Sequence, residues 1–291
     1  MIISNIIGGL GNQMFQYAAA LALSNKLRCT LKVDIRDFSG YKLHQGFELD
    51  RLFNICAKPA LNKDVTEVIG WQQSAFARRL FRKPHLKYAR HKNYIVEPHF
   101  SYWGGFNQIK GNSYIDGYWQ SERYFSEFAD KVRSEFNFKL PLSKKNSEIA
   151  AHIAQVNAVS LHVRRGDYVT NAKNAHIGVC SLDYYKAAIS HINIKLNNPV
   201  FFIFSDDMDW VKANLALAEK SVYVDHNSGA ESYNDMRLMS LCKHHIIANS
   251  SFSWWGAWLN SNSEKIVIAP KKWFAGDIET NDLIPQSWVQ L

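Results

Sequence analysis

At residues 160–168 the chain reads Ser160-Leu161-His162-Val163-Arg164-Arg165-Gly166-Asp167-Tyr168. The apolar residues 158–163 predict a buried strand, which ends at two adjacent arginines and a glycine. Ligands of open α/β sheets bind beyond the carboxyl ends of the strands, and a guanidinium group binds phosphate oxygens through two N–H groups. This strand end is therefore a candidate phosphate site. The alternative is a surface turn in which one arginine pairs with Asp167.

The composition of the 291-residue chain is typical of an enzyme with about two domains. Its four cysteines, Cys29, Cys56, Cys180 and Cys242, are far apart and form no Cys-x-x-Cys pair. This spacing argues against a disulfide framework and a zinc site, and favours a reducing compartment. The first residues predict a strand rather than a signal peptide, and no run of about 18 apolar residues predicts a membrane span. We therefore expect a cytoplasmic protein.

Positive charge is concentrated in one stretch of the first half. The formal net charge is +8, and no acidic residue occurs from Trp71 to Val96. The basic residues of this stretch are Arg78, Arg79, Arg82, Lys83, Lys87, Arg90 and Lys92, with aromatic residues between them. Such a stretch suits an anionic membrane surface or a lipid-linked pyrophosphate, or else nucleic acid. No nucleic-acid motif accompanies it, so we rank the membrane surface higher, with a solvated helix face as the alternative.

Strands and helices alternate along most of the chain, which predicts parallel sheets. The first half is predicted to contain strands at 2–7, 30–33 and 114–118, and helices at 12–27 and 122–136. A polar, proline-containing segment at 139–147 predicts a domain boundary. The second half is predicted to alternate between helices and strands at 147–156, 158–163, 181–196, 199–204, 208–218, 221–224, 231–242, 244–248, 252–260 and 265–268. That pattern predicts a doubly wound nucleotide-binding domain.

A glycine loop follows the first strand. Gly9-x-Gly11 resembles part of a dinucleotide fingerprint, and Asp34 lies near the spacing of a ribose-binding acid. Met14 stands where the third glycine of that fingerprint would be, so the evidence for NAD binding is weak. The loop can still approach a ligand closely, with Asn12 as a helix N-cap or a donor to a ligand oxygen.

Acidic residues follow the apolar strand at 199–204. Asp207-x-Asp209 is compatible with a metal site, but no further acid or histidine cluster completes one. We therefore favour Asp207 as the cap of the next helix. Ser205 and Asp206 are candidates to accept hydrogen bonds from a ribose or a guanine edge.

Two further stretches carry polar groups at the ends of predicted strands. Residues 244–258 run from a strand through Asn249-Ser250-Ser251 into a helix, whose free N–H groups suit an anion; simple capping is the alternative. Residues 114–125 alternate aromatic with acidic and amide side chains. That alternation suits a sugar, and it also describes a half-buried strand that enters a helix.

Four blocks carry a resemblance, and they are Gly8-Gly9-Leu10-Gly11-Asn12-Gln13-Met14-Phe15-Gln16-Tyr17, His162-Val163-Arg164-Arg165-Gly166-Asp167-Tyr168, Phe204-Ser205-Asp206-Asp207 and Asn249-Ser250-Ser251-Phe252-Ser253-Trp254-Trp255-Gly256-Ala257-Trp258. They resemble the motif set of the α-1,2-fucosyltransferases of glycosyltransferase family 11, in the same order and over nearly the whole chain. Residues 117–125 fit a fifth block. The resemblance implies an α/β protein with the GT-B fold, in which two Rossmann-like domains with parallel sheets face a cleft.

The same resemblance implies a function and a division of the chain. It implies inverting transfer of L-fucose from GDP-β-L-fucose to the 2-hydroxyl of a terminal galactose in a surface glycan such as O-antigen, without a metal or another cofactor. Residues 1–146 would form the acceptor-side domain, with a basic aromatic insertion at about 60–110. Residues 147–291 would form the donor domain, with a final segment able to pack back on the first. A bacterial, cytoplasmic enzyme is expected, able to lie on the inner face of the cell membrane.

The resemblance also implies site residues. The donor-binding residues would be Gly9, Gly11, Asn12, His162, Arg164, Arg165, Asp167, Ser205, Asp206, Asn249, Ser250, Ser251, Phe252 and Ser253. The acceptor-binding residues would be Tyr118, Trp119 and Gln120.

Catalysis needs cations for the departing diphosphate and a base for the attacking hydroxyl. Arg164 and Arg165 are the candidate cations, with Arg165 the main one. Asp34, Asp116 and Asp167 are the candidate bases, and the sequence does not choose among them. A non-catalytic nucleotide-sugar or glycan-binding module on the same fold is the alternative from another class, and an NAD oxidoreductase is a more distant one.

Overall fold

The computed structural model describes residues 1–40, 45–170, 177–215 and 220–291, with Asp167 and Thr170 described by their backbone alone. The chain divides into two compact units. The first comprises Met1–Lys139 with Glu279–Leu283, and the second Leu140–Ile278 with Ile284–Leu291. The division falls at the start of the predicted boundary segment rather than at residue 146. Leu140 already belongs to the second unit, where its carbonyl accepts a hydrogen bond of 2.6 Å from Arg237.

The first unit is built on a parallel five-stranded sheet in the order β3-β2-β1-β5-β4. Its strands are β1 (Ile2–Asn5), β2 (Leu31–Asp34), β3 (Lys58–Pro59), β4 (Tyr94–Val96) and β5 (Ser113–Asp116). Its helices are α1 (Leu10–Lys26), α2 (Leu49–Leu52), α3 (Asn62–Ile69), α4 (Ala75–Phe81) and α5 (Ala129–Glu135). Short 3-10 turns occupy Arg36–Phe38, Gly70–Gln73, Pro84–Ala89, Gly104–Gln108, Glu122–Tyr124 and Ser126–Phe128.

The second unit is built on a parallel six-stranded sheet in the order β11-β10-β9-β6-β7-β8. Its strands are β6 (Asn157–Val163), β7 (Pro199–Ser205), β8 (Ser221–Val224), β9 (His244–Ile246), β10 (Val267–Ala269) and β11 (Val289–Gln290). Its helices are α6 (Lys144–Gln155), α7 (Gly166–Thr170), α8 (Leu182–Lys195), α9 (Met208–Asn214), α10 (Tyr233–Leu241) and α11 (Ser251–Leu259), with a 3-10 turn at Gly229–Glu231. The predicted α/β class, with two parallel-sheet domains, is confirmed.

Buried apolar strands hold the second unit together. The central strands β6 and β7 are buried on both faces, as expected for parallel strands covered by helices. Val159, Leu161, Phe201 and Ile203 pack in one core with the buried face of α8. Among the helices that the structure describes, none combines the length and apolar character needed to cross a bilayer.

The helix predicted at 122–136 is wrong in its first half. Two 3-10 turns occupy this part, and the α-helix begins at Ala129. Phe125 separates the turns with a φ of −139°, outside the helical range. Its ring lies in the core, 6.3 Å between centroids from Phe15. The adjacent Tyr124 is buried as well, against the rings of Phe106 and Trp119.

The end predicted for the helix at 208–218 lies outside the described residues, since α9 is described to Asn214. The insertion at about 60–110, marked in the sequence only by its basic and aromatic residues, contains regular elements. It contains α3, α4 and β4, and β4 extends the parallel sheet beside β5.

Candidate active site

The two arginines lie where β6 ends, beside the end of β7. Arg164 Nη1 lies 3.1 Å from Asp206 Oδ2, and the backbone N–H of Arg165 donates to Asp206 Oδ1 at 2.9 Å. Arg165 Nε lies 3.4 Å from Asp207 Oδ2. The register explains these contacts, because Val163 is paired with Ser205 across the two strands. The alternative partner Asp167 has a side chain outside the described atoms.

A tryptophan that the sequence analysis missed holds Arg165 from one side. The Arg165 guanidinium lies 3.9 Å from the centre of the Trp210 ring, within the range of a cation–π interaction. Within the described residues only Nε of this guanidinium has a polar partner, so its two terminal nitrogens can bind a ligand. Asp207 also caps α9 by accepting from the Trp210 N–H at 3.3 Å, which confirms the predicted cap. One short motif, Asp207-x-x-Trp210, therefore positions Arg165.

Gly166 permits this close approach of two strand ends. A Cβ at this position would lie 2.6 Å from Asp206 Oδ2, closer than real Cβ contacts. Gly166 also begins α7, whose Tyr168 ring lies 5.3 Å from the Arg164 guanidinium. The glycine is therefore required by packing against Asp206.

His162 precedes the arginine pair and is buried, with no hydrogen-bond partner for Nδ1 among the described residues. Burial lowers the pKa of His162 to about 4, with Asp206 opposing and Arg164 adding to the shift. The ring is therefore neutral at pH 7. It lies 5.9 Å from the Phe252 ring, measured between centroids.

Most polar side chains of the Asn-Ser-Ser turn at the start of α11 form hydrogen bonds within the protein. Asn249 is buried, and its amide donates to the carbonyls of Ile177, Gly178 and Trp273 at 3.0–3.2 Å. Ser253 is buried and donates to the backbone at its own helix start.

Ser250 is the N-cap of α11, accepting from the Phe252 N–H, which bears out the capping alternative. Ser251 and Phe252 are the partly exposed members of this turn. At the end of β7, Ser205 is likewise used locally, because its hydroxyl accepts from the Asp207 N–H at 3.0 Å.

The glycine loop of the first unit is held by two glutamines. Gln13 donates to the carbonyls of Gly8 and Gly46 and accepts from the Glu48 N–H, and Gln16 accepts from the Ile7 N–H at 2.9 Å. Gly8 has a φ of +81°, a conformation that glycine adopts without strain. Sequence reasoning missed both glutamines, because a Gln in an otherwise apolar helix carries no signal of its partner.

Asn12 lies in the same loop, and its Oδ1 accepts from the amide of Gln120 at 2.7 Å. Gly9 occupies the N-cap position of α1, and no side chain caps this helix. Asn12 is therefore not the N-cap, and it links the glycine loop to the segment that follows β5.

Two candidate bases are corrected by the structure. Asp34 is fully buried and is paired with Arg36 and Arg78 at 2.7 and 3.0 Å, with a hydrogen bond from Tyr114. Burial raises the pKa of Asp34, but these partners outweigh it and lower the pKa. A shielded carboxylate with a lowered pKa is poorly suited to accept a proton near pH 7.

Asp116 is likewise buried, and both of its carboxylate oxygens have partners. It pairs with Arg82 and accepts hydrogen bonds from Asn5 and Tyr94 at 3.0 and 2.7 Å. The ion pairs of Asp34 and Asp116 also correct the prediction for the basic stretch. Arg78 is buried inside the first unit, and Arg82 is bound to Asp116, so neither is a free surface charge.

The predicted acceptor residues have different environments. Tyr118 is exposed, whereas Trp119 is fully buried between Phe106 and Tyr124, at centroid distances of 5.0 and 5.4 Å. Trp119 is therefore a core residue, and its buried ring does not fit the predicted contact with an acceptor sugar. Gln120 is buried and donates to Asn12.

A carboxylate that the sequence analysis did not single out lies beside these residues. Glu97 follows β4, and its two oxygens accept from the N–H groups of Tyr118 and Trp119 at 2.6 and 2.9 Å. It belongs to the insertion at about 60–110, where no sequence motif marks it. For the metal site that Asp207-x-Asp209 suggested, the described residues offer no group of three or more potential ligands.

Comparison with known proteins identifies the family. The family model described as Glycosyl transferase family 11 matches residues 1–291. The chain belongs to glycosyl transferase family 11. This family 11 protein is 38% identical over 299 residues to an alpha-1,2-colitosyltransferase of Escherichia coli, covering 100% of this chain and 99% of the relative. It is 37% identical over 310 residues to the O-antigen biosynthesis glycosyltransferase WbnK of Escherichia coli, with 99% of each chain covered.

More distant matches include the galactoside 2-alpha-L-fucosyltransferase Sec1 of Mus musculus, which is 26% identical and covers 89% of this family 11 chain and 64% of the relative. Among solved structures, NodZ alpha-1,6-fucosyltransferase soaked with GDP-fucose aligns with a TM-score of 0.52 and 15% identity, over 89% of this chain and 91% of that one. A mutant of Arabidopsis thaliana FUT1 in complex with GDP also aligns with a TM-score of 0.52. Its sequence identity is 14%, and the alignment covers 92% of this chain and 70% of that one. These likenesses show the fold, and the two parallel-sheet units have the GT-B architecture.

Proposed function

We propose that this family 11 glycosyltransferase transfers L-fucose from GDP-β-L-fucose to the 2-hydroxyl of a terminal galactose, forming an α-1,2 linkage in a surface glycan such as O-antigen. The observation that carries the proposal is the Arg165 guanidinium, held by Asp207 and Trp210 at the carboxyl end of β6. Phosphate-bearing ligands of doubly wound sheets bind at such strand ends. The galactoside fucosyltransferases among the more distant relatives support the linkage and the sugar.

The chemistry requires stabilisation of the departing diphosphate. As the bond from C1 of the sugar to the phosphate oxygen breaks, negative charge develops on GDP, and fixed cations stabilise it. Arg165 and Arg164 supply those cations in our proposal, with the partly exposed start of α11 at Ser251 as a further source of positive potential. His162 is neutral and its Nδ1 is buried, so in our proposal it shapes the donor site through its ring beside Phe252. Neither a metal nor another cofactor is needed for these roles.

Colitose is the second candidate sugar, because a colitosyltransferase is 38% identical over the full length. Colitose is fucose without the 3-hydroxyl group. A site that hydrogen-bonds this hydroxyl would discriminate against colitose, because its polar groups would be left unpaired. Comparing kcat/KM for GDP-fucose and GDP-colitose on one galactoside tests the choice. A ratio above 10 for GDP-fucose supports the proposal, and the reverse ratio assigns colitose.

Thermal shift with GDP, UDP, NAD and MnCl2 tests the nucleotide. We expect GDP alone to raise Tm, because binding to the native state stabilises it. Stabilisation by NAD without GDP would contradict the proposal and favour an oxidoreductase. Release of GDP from a GDP-sugar, dependent on a galactoside, separates an enzyme from a binding module, since a binder is stabilised by GDP without turning over.

We also propose that the protein acts in the cytoplasm and makes peripheral contact with an anionic membrane. Three large aromatic side chains of the basic stretch are strongly exposed: Trp71 by 70%, Phe76 by 78% and Tyr88 by 89%. Exposed basic residues accompany them, and they are Arg79, Lys83, Lys87 and Lys92. Aromatic and basic side chains together favour the interface of an anionic bilayer. The same charge would favour a lipid-linked diphosphate acceptor.

Liposome co-sedimentation tests the membrane contact. Replacing Arg79, Lys83 and Lys87 by Gln should reduce binding to vesicles that contain phosphatidylglycerol, while turnover on a soluble acceptor stays unchanged. The control removes the same charge elsewhere in the first unit, through Gln at the exposed Lys58, Lys63 and Lys110. Equal losses in both triple variants would indicate nonspecific charge attraction, and no loss in either would leave the solvated-face alternative.

A further inference from the structure

Three strands of the first unit's sheet have a carboxylate at or just after their carboxyl end. Asp34 ends β2, Asp116 ends β5, and Glu97 follows β4. The carboxylates of Asp34 and Asp116 are both held in ion pairs, with Arg78 and Arg82 respectively. Glu97 has no ion-pair partner within 4.0 Å in the described part of the chain, and it is only partly buried. It is therefore the carboxylate of this edge that remains available to a ligand.

Glu97 holds the loop that follows β5. Its oxygens accept the N–H groups of Tyr118 and Trp119, and its own N–H donates to the Asp116 carbonyl at 3.0 Å. A Cβ on Gly117 would lie 2.7 Å from Glu97 Oε2, so only glycine allows the carboxylate to approach. Each carboxylate oxygen has a second lone pair, so both can still accept from a substrate hydroxyl.

The loop is strained where Glu97 contacts it. Trp119 has a φ of +54°, which a bulky residue rarely adopts. Such outliers persist where the surroundings over-determine them, and they concentrate at functional sites. The surroundings here are the Phe106 and Tyr124 rings and the Glu97 carboxylate. The next residue, Gln120, joins the loop to Asn12 of the glycine loop.

The charges around Glu97 suit proton transfer near neutral pH. Burial raises the pKa of Glu97 to about 7, and the charge of Asp116 adds to the rise. The hydrogen bonds from the Tyr118 and Trp119 N–H groups and the charge of Arg82 lower the pKa, but they do not outweigh burial. The Tyr118 and Tyr124 hydroxyls also face it, and burial raises the pKa of each, so both stay neutral at pH 7. A general base works best when its pKa lies near the working pH.

We propose that Glu97 is the general base of the transfer reaction, a role that rests on the proposed function. The hydroxyl proton of the acceptor moves to a Glu97 oxygen as the acceptor oxygen bonds to C1 of the donor sugar. The bond between C1 and the phosphate oxygen breaks, and its electron pair leaves on GDP. The proton is later released to water, which restores the carboxylate.

Glu97→Gln tests the role, with the exposed Glu67→Gln as its matched control. We expect Glu97→Gln to lose about 100-fold or more in kcat, the usual contribution of a general base. In the wild type, kcat should fall as pH drops below 7, because Glu97 becomes protonated, and this acidic limb should vanish in Glu97→Gln. Glu97→Asp keeps a carboxylate and should retain the limb with a lower kcat. Retention of the limb in Glu97→Gln, or kcat within about threefold of the wild type, would overturn the proposal.

Two readouts separate this inference from the proposed function. GDP binding by Glu97→Gln, measured by calorimetry, should equal that of the wild type, because the arginine site lies in the other unit. A wild type that binds no GDP would contradict the proposed function itself. Carbon-13 NMR of the glutamate carboxyls should show one group that titrates near pH 7 and is missing in Glu97→Gln. A Glu97 that titrates near 4 would overturn its role as base even in an active enzyme.

Discussion

Arg165 owes its position to two side chains of the neighbouring strand end. Asp207 pairs with Nε, and the Trp210 ring covers one face of the guanidinium. The Arg-Arg pair is recognisable in the sequence, because guanidinium groups at a strand end suit phosphate. Trp210 is not, because a tryptophan in a short helix is ordinarily interpreted as core. Its contact follows from the pairing of β6 with β7, which lies beyond any local pattern.

Arg165→Lys tests two properties of the guanidinium together: its paired N–H donors and its stacking on the Trp210 ring. Lysine keeps the charge but presents a point ammonium in place of a planar fork. Loss of one transition-state donor costs on the order of 100-fold or more in kcat, and we expect at least that here. The control is Arg79→Lys, an exposed arginine of the first unit. Near-normal turnover and GDP affinity in Arg165→Lys would shift the role to Arg164, whose own substitution should then abolish activity.

Asp34→Asn tests whether this buried aspartate is structural. Removing Asp34 leaves buried Arg78 with only the exposed Asp37 as an ion-pair partner among the described residues, at a cost of about 3 kcal/mol in the free energy of unfolding. The pKa of Asp34 is lowered in the folded state, so its stabilisation is present at pH 7 and is lost as pH falls below about 4. Urea unfolding should show the deficit at pH 7 and a smaller one in acid.

The control for this prediction is Asp37→Asn, which also contacts Arg78 but is exposed and should cost less. The kcat of the folded fraction of Asp34→Asn should stay close to that of the wild type. A stable but inactive Asp34→Asn would restore Asp34 as a candidate base.

At the level of elements, alternation of strands and helices predicts the second unit well. Its central strands β6 and β7 are buried apolar runs, and the predicted segments match β6 to β10 within a few residues. The first unit is harder to predict, because its insertion carries few periodic segments. β4 has only three residues, and nothing local marks it as the edge of the sheet. The sequence therefore gives no sign that Glu97, which follows β4, lies at the end of a strand.

Gly166→Ala tests the junction between β6 and α7. The added Cβ would lie 2.6 Å from Asp206 Oδ2, so Asp206 must move away from Arg164 and the Arg165 N–H. We expect a loss of about 1–3 kcal/mol in stability, as for other overpacked sites, together with weaker GDP binding. Gly276→Ala is the matched control, because open space surrounds its Cβ. Unchanged Tm and GDP affinity in Gly166→Ala would show that this contact is dispensable.

For the whole molecule, the class of fold is confirmed, and the strand-end blocks of the second unit are easier to recognise in the sequence than the carboxylate pairs of the first unit. The residues that we propose to bind the donor lie in short blocks, each at one strand end, so local motifs mark them. The carboxylates of the first unit depend on partners far along the chain, such as Asp34 with Arg78 and Asp116 with Arg82. No local pattern distinguishes a catalytic acid from an acid in a buried ion pair, so the sequence alone leaves Asp34 and Asp116 as candidate bases.

Activity should persist in excess EDTA. In our account arginine side chains, rather than a divalent ion, stabilise the diphosphate, and cations fixed by the protein need no metal. We compare initial rates measured without EDTA and with EDTA at about a 10-fold excess over any added metal. The two rates should agree within about twofold. Complete loss of turnover in EDTA, restored by Mn²⁺, would contradict this and return Asp207 and Asp209 to consideration as ligands.

Product analysis tests the central claim most directly. The protein is incubated with GDP-fucose and a terminal β-galactoside, and the product linkage is determined by two-dimensional NMR. The account predicts an α-linked fucosyl group on O2 of the galactose, formed together with one GDP per product and missing in Arg165→Ala. Transfer from a UDP-sugar, a different linkage, or no product from any GDP-sugar would contradict it.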